Sequence, residues 1–281
     1  MDNVERDFDF QPADFRRVRA LIYDHAGIAL AESKQQLVYS RLSRRLRALG
    51  LRSFKEYLDG LESGVIDDWQ EFVNALTTNL TSFFREPHHF PILAEHLGRA
   101  GAGRPQRVWC AAASTGEEPY SIAMTATEAL GARPAVEIVA TDIDTNCLRQ
   151  AEQGIFPMER VEKLPSERLR RFFLRGTGGR AGLACVRPEV RALVNFRQLN
   201  LQDPFPFRDK FDAIFCRNVM IYFDKPTQVR ILERFVPLLV PDGLLFCGHS
   251  ENFSNARALF RLRGKTVYEL ASAESASRVA A

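Results

Sequence analysis

Apolar residues recur at helical spacing over residues 11–97 and then give way to short, nearly continuous apolar runs. Phe15, Val18, Leu21 and Ile22 lie three and four apart, and Gly27 ends the pattern. A second helix is predicted from Ser33 to Leu49, stopped by Gly50. Phe54, Tyr57, Leu58 and Leu61 mark a third before Gly64, and Trp69, Phe72, Val73 and Leu76 mark a fourth. These predict an all-α N-terminal domain over 11–97. The Gly- and Pro-rich segment 98–106 reads as a linker. Beyond it, Arg107–Ala111, Val136–Ala140, Phe211–Cys216 and Leu244–Gly248 read as strands, with helices over Ser121–Leu130 and Thr227–Leu239. Pro241-Asp242-Gly243 reads as a turn into the last of these strands.

Alternating strands and helices predict an α/β domain over 107–270, built on an open, mostly parallel sheet. Phe260–Leu270 adds an antiparallel hairpin turning at Gly264-Lys265. The 57 residues between Asp142 and Asn200 break the rhythm. They hold a helix start at Thr145, a basic helix over Ser166–Arg175, four glycines within 176–182, and β-like runs near Leu183–Arg187 and Leu193–Phe196. A small antiparallel β-subdomain inserted at about 174–198 is expected, and 271–281 is expected to be a flexible tail.

Composition narrows the class. Apolar residues are 46% and charged residues 26%, enough for a folded core. The net charge of +3 does not announce a nucleic-acid binder. The five cysteines include no C-x-x-C pair, which argues against a disulfide scaffold or a structural zinc site. The start of the chain is acidic and polar, unlike a signal peptide, and no apolar run approaches the ~20 residues a bilayer span needs. A cytoplasmic protein without membrane insertion is expected.

Polar groups at the predicted strand ends suggest a ligand. Ser114-Thr115-Gly116-Glu117-Glu118 follows the first strand, Asp142-Ile143-Asp144 the second, and Arg217-Asn218 follows Phe211–Cys216. The first loop is neither G-x-G-x-x-G nor a P-loop, and its two carboxylates are poor company for phosphate. An acid after the second strand suits ribose hydroxyls. An uncharged or cationic nucleoside fits, and S-adenosylmethionine (SAM) has both a ribose and a sulfonium. Asp142 reads as the ribose acceptor; Asp144 reads equally as a helix cap.

The strings NALTTNLTSFFREPHHF (74–90), RVWCAAASTGEEPYSIAM (107–124), ATDIDTNCL (140–148), FDAIFCRNVMIYFDK (211–225) and PDGLLFCGHSENF (241–253) resemble the CheR-type glutamate O-methyltransferases of bacterial chemoreceptors. The resemblance covers roughly residues 10–270. It implies a SAM-dependent methyltransferase domain with a Rossmann-like sheet, release of S-adenosylhomocysteine, and methyl-ester formation in sensory adaptation. It also implies cofactor contacts from Asn79, Thr81, Arg85, Glu117, Asp142, Asn200, Leu201, Arg217 and Asn218, with Tyr222 facing the reaction centre. Physical reasoning supports Leu201 packing on the adenine, Asn200 pairing with a base edge, and Arg85 binding a carboxylate bidentately. Arg85 and Tyr222 are therefore the expected catalytic pair. A glutamate is ionised at pH 7, so in-line attack on the methyl needs no general base.

Two further features point to the receptor. Residues 33–55 hold Lys34, Arg41, Arg44, Arg45, Arg47, Arg52 and Lys55 with no acidic residue. Lys34, Arg41, Arg45 and Arg52 share one stripe beside an apolar stripe of Val38, Leu42, Leu46 and Leu49. This basic face, Arg44 included, is expected to dock the acidic cytoplasmic helix bundle of a receptor. The string RGTGGRAG, with Gly176 and Gly178, resembles the β-subdomain of members that tether a receptor's C-terminal peptide as an added strand. His88 and His89 adjoin Arg85, but a His pair without carboxylate or Cys partners is more often structural, so no metal is expected. A monomer satisfies both faces. A related pathway using other receptors, a nucleic-acid methyltransferase and a non-catalytic adaptor are the rival readings.

Overall fold

The computed structural model describes residues 7–100, 104–253 and 256–271; the expected tail from 272 onward and the middle of the expected linker lie outside them. The described chain forms two compact units, one of residues up to Thr78 together with Tyr222–Asp224, the other of Asn79–Ile221 and the residues from Lys225.

The first unit holds α1 (Pro12–Ala26), α2 (Gln35–Leu49), α3 (Phe54–Ser63) and α4 (Trp69–Leu76). Gly27, Gly50 and Gly64 end the first three helices with φ of 70°, 69° and 73°, a left-handed turn that suits a residue without Cβ. Ser53 caps α3 by accepting the Glu56 N–H at 3.1 Å. Inside, the rings of Phe10, Tyr39 and Phe54 cluster, and at the surface His25 stacks on Trp69 at 4.9 Å.

The structure corrects the α2 surface. Arg45 is paired with the buried Asp68, which also accepts the Tyr57 hydroxyl at 2.8 Å. Arg41 donates to the Thr77 carbonyl at 2.5 Å. Both guanidiniums stitch α2 to the α4 region and are only half-exposed, whereas Lys34, Arg44 and Arg52 are exposed. The apolar stripe also shifts by one position: Tyr39 and Ser43 are buried with Val38, Leu42 and Leu46, and Leu49 is exposed. At 100° per residue Leu49 still falls between Val38 and Leu42 on the helix face, but it is the last residue of α2 before Gly50 and is exposed there.

The second unit runs α5 (His89–Ala100), β1 (Gln106–Cys110), α6 (Glu117–Leu130), β2 (Val136–Asp142), α7 (Thr145–Gln153), β3 (Ile155–Pro157), α8 (Met158–Val161), α9 (Ser166–Phe172), β4 (Phe173–Arg175), β5 (Leu183–Val186), α10 (Pro188–Arg191), β6 (Val194–Gln198), β7 (Phe211–Cys216), α11 (Lys225–Phe235), β8 (Leu239–Cys247), β9 (Phe260–Gly264) and β10 (Val267–Leu270). Among the described residues the main sheet has seven strands in the order β6-β2-β1-β7-β8-β10-β9. The first five are parallel and β10 pairs antiparallel to β8 and β9. Strand order reverses between β1 and β7, which opens a crevice at their carboxyl ends.

Three boundaries move. The units divide at Thr78/Asn79 rather than in 98–106, because α5 belongs to the sheet unit: its Phe90, Leu93 and Leu97 join the core with Val108 and Met124. The inserted subdomain is the three-stranded sheet β3-β5-β4, spanning 155–186. The run near Leu193–Phe196 is instead β6, an edge of the main sheet in parallel register with β2, Asp142 opposite Gln198. Pro241-Asp242-Gly243 sits inside β8 at an irregularity, where Phe211 faces Leu239 but Ala213 faces Leu244. Trp109 anchors one side of the sheet, ringed by Phe205, Phe207, Phe211 and Phe235, with its indole N–H donated to Thr141 at 2.9 Å.

Candidate active site

The parallel strands converge on a set of polar groups at their carboxyl ends. Asp142 closes β2 with its side chain buried. Its two oxygens accept the Ser114 N–H at 2.7 Å and the Asp144 N–H at 2.9 Å. Burial pushes its carboxyl up to about 6, against the pull of those backbone donors. Asp144 caps α7, accepting N–H groups of Asn146 and Cys147 on one oxygen and the Asn79 amide on the other at 2.7 Å. Ser114 in turn donates its hydroxyl to the Asn79 carbonyl at 3.0 Å. Asn79, Ser114, Asp142 and Asp144 therefore form one continuous hydrogen-bonded chain.

Beside it, the Leu199 N–H donates to the Asp142 carbonyl at 3.0 Å, which brings the loop after β6 to the end of β2. Leu201 is buried there. Arg234 on α11 clamps this loop by donating to the carbonyls of Leu201, Gln202 and Asp203. Glu117 heads α6, almost fully buried, accepting from Thr115 at 2.6 Å and from Arg160 at 3.3 Å. Arg160 also reaches the Thr81 carbonyl.

Arg217 is fully buried and serves the protein itself. It meets Glu118 at 2.6 Å, donates to the Arg85 carbonyl at 2.5 Å, and lies 3.5 Å from Glu86. Burial raises the Glu118 carboxyl and Arg217 opposes that rise. For Glu86 burial pulls upward, but Arg217 and His249 together hold it below the usual carboxylate range. The backbone of Asn218 is fixed by Glu251, a buried carboxylate that accepts the N–H groups of Gly248, Asn218, Val219 and Met220. Arg85 itself donates to the Leu80 carbonyl at 2.8 Å and is half-exposed.

Among the described residues six non-glycine positions have positive φ, and four sit here: Phe84 (52°), Glu86 (52°), Ser114 (49°) and Asn218 (57°). Each costs on the order of 1–3 kcal/mol and persists only where surroundings enforce it.

The Glu118–Arg217 pair yields a direct test. Glu118→Ala is expected to destabilise the fold by about 3–5 kcal/mol, because it strands a buried guanidinium. Adding Arg217→Met should recover much of the loss in chemical denaturation. If the double variant unfolds at the same denaturant concentration as the single one, the stranded charge is not the cause.

The cofactor residues expected from the sequence thus lie in one unit. Tyr222 belongs to the helical unit, where its backbone carbonyl accepts the Ala29 N–H at 2.8 Å. Gly176 is required by its own turn: a Cβ there would collide with the Arg180 carbonyl. Gly178 has φ 55° and open space around it. Glu86, Glu118 and Glu251 were not singled out from sequence. The tandem Glu117-Glu118 is visible in the sequence, but only the fold gives the two buried carboxylates different partners, Thr115 and Arg160 for Glu117 and Arg217 for Glu118.

The donor set suits SAM. A buried carboxylate with lone pairs left after two N–H bonds can accept ribose hydroxyls, and the buried Arg217 guanidinium is already neutralised by Glu118 and so is not offered to a phosphate. Comparison with known proteins agrees. Residues 13–77 match the model of the CheR methyltransferase all-alpha domain and residues 79–269 that of the CheR methyltransferase SAM binding domain. The chain is 59% identical over 266 residues to chemotaxis protein methyltransferase 2 of Pseudomonas aeruginosa, covering 94% of this chain and 95% of that one. It is 56% identical over 261 residues to the chemotaxis protein methyltransferase of Escherichia coli, covering 92% and 91%.

Proposed function

The chain belongs to the CheR methyltransferase family, whose reaction is methylation of chemoreceptor glutamates with SAM, and from that premise we propose which of its residues perform it. The products are glutamyl methyl esters and S-adenosylhomocysteine. Asp142 holds the ribose hydroxyls, and Leu201 and Asn200 hold the adenine. Asn79, Thr81, Glu117 and the Arg217-Asn218 backbone complete the cofactor side. SAM supplies an activated methyl group on a cationic sulfur. Arg85 orients the incoming carboxylate through its guanidinium fork, and Tyr222 aligns the reacting groups. No side chain needs to remove a proton, because the glutamate arrives ionised. The buried, nucleoside-compatible carboxylate of Asp142 is the observation that most supports this assignment.

Labelled methyl transfer to receptor-containing membranes, followed by alkaline release of methanol, is the decisive assay. A receptor with Gln at the modified positions should accept no methyl, since an amide is a poor nucleophile. Comparable labelling of the Gln receptor would sink the carboxylate mechanism, and transfer to RNA would favour the nucleic-acid reading.

Receptor recognition is proposed for the exposed basic positions Lys34, Arg44 and Arg52, with the enzyme cytoplasmic and recruited to receptor arrays. No helix among the described residues is long and apolar enough to cross a membrane. Reversal of Arg41 or Arg45 would break internal bonds, so the test uses Lys34→Glu with Arg44→Glu. This pair is expected to raise KM for receptor about tenfold, more at low salt, with SAM affinity and melting unchanged. Unaltered KM removes docking from this face. Capture of the receptor's C-terminal peptide is proposed at β4, an edge strand of the small sheet. Calorimetry with that peptide tests it, and no saturable heat rejects it.

A further inference from the structure

The start of α5 carries a feature the methyl transfer does not use. His89 is fully buried, and its Nε2 lies 2.9 Å from the Lys265 carbonyl. A carbonyl only accepts, so Nε2 carries the proton and Nδ1 presents a bare lone pair. That Nδ1 has no hydrogen-bond partner among the described residues. The atom it faces, Glu86 Oε2 at 3.9 Å, is also an acceptor; it takes no hydrogen bond, and the cation on its other side is Arg217 at 3.5 Å. Two buried acceptors turned toward each other need something positive or donating between them.

His88 supplies the third group. One ligand atom each from Glu86, His88 and His89 lies within 4.8 Å of the others, and the two imidazole centroids are 4.3 Å apart. The carboxylate partner that the His pair lacked in the sequence is thus two residues upstream. We propose that Glu86, His88 and His89 form a binding site for a divalent transition-metal ion of the zinc class.

The chemistry matches that ion. Two imidazoles and one carboxylate make a borderline donor set that prefers zinc or cobalt(II) to magnesium or calcium. The Lys265 carbonyl does what outer-shell acceptors do for ligating histidines: it fixes the tautomer and aims the free nitrogen. The Arg217 guanidinium opposes a cation here, but Glu118 neutralises it at 2.6 Å. Glu86 keeps its Oε1 contacts with His249 and Asn218 and presents Oε2 to the ion. The inference is independent of the assigned roles in methyl transfer.

The test is titration of the full-length protein with zinc chloride by calorimetry, and with cobalt(II) chloride by visible absorption. One equivalent should bind, with a cobalt d–d band of a low-coordinate nitrogen–oxygen site. His88→Ala, at a half-exposed position, should weaken binding at least about tenfold, and Glu86→Gln should do the same. Should His89→Ala fail to fold, these two variants decide the matter. Absence of a one-equivalent phase, or equal zinc affinity in His88→Ala and Glu86→Gln, would overturn the site. Loss of binding only in a His249→Ala control would place the ion elsewhere and overturn it too.

Discussion

Replacing Arg85 with Ala is expected to lower receptor methylation by about 10²-fold, the usual cost of removing one preorganised electrostatic group from a reacting centre. The side chain is half-exposed and its hydrogen bond is to the Leu80 carbonyl, so the substitution should leave melting nearly unchanged. The backbone, by contrast, is tightly held: Arg217 grips the Arg85 carbonyl, and Phe84 and Glu86 on either side have positive φ. A pinned backbone with an accessible guanidinium is how a protein aims a charge. Arg85→Lys keeps the charge and loses the planar fork, so it should recover only part of the rate. Steady-state labelling of receptor membranes checks this. A decrease below about threefold in Arg85→Ala would remove the residue from the reaction.

The second large effect concerns Asp142 and has a definite sign in pH. Burial raises its carboxyl to about 6, so the free enzyme takes up a proton there as pH falls below 6. Ribose hydroxyls donate to the ionised form, and a protonated carboxyl must lose its proton to bind. SAM affinity should therefore be flat above pH 7 and fall toward tenfold per unit well below 6. The same shift acts on stability in the opposite sense. A carboxyl raised above its ordinary value of 3.8 makes the ionised folded state less favourable, and that penalty disappears as pH drops through 6 toward 4. Asp142→Asn should abolish the pH dependence and weaken SAM binding by about 10²-fold, since each hydrogen bond to a charged group contributes about 1.5–3 kcal/mol. Calorimetry across pH 5–8 measures both. A wild-type affinity independent of pH in that range would remove Asp142 from ribose binding.

Legibility in the sequence followed physical type. The four N-terminal helices are legible because each has a repeating apolar stripe and the first three a glycine stop, and the buried strands because continuous apolar runs leave few alternatives. The unit boundary is not legible, because a Gly/Pro-rich segment marks only a loop, while membership of a unit depends on which core α5 joins through Phe90, Leu93 and Leu97. The run near Leu193 reads as part of the insertion because nothing local distinguishes an edge strand of a large sheet from a strand of a small one. At the site, Asp142 was legible from its place at the end of an apolar run. Glu251 is not, since its role depends on four N–H groups, one in its own turn after β8 and three in the distant segment after β7. Arg41 and Arg45 share a helical stripe as periodicity requires, but periodicity does not reveal Asp68 at the head of α4.

The buried pairing of Glu118 with Arg217 also constrains how such a protein can diverge. The two positions are 99 residues apart in the chain, yet neither charge can be lost first without stranding the other. Descendants that change one will have had to change the other almost at once, or to pass through a form that scarcely folds. Lineages should therefore inherit the two residues as a single heritable unit, long after the exposed arginines around them have been exchanged freely.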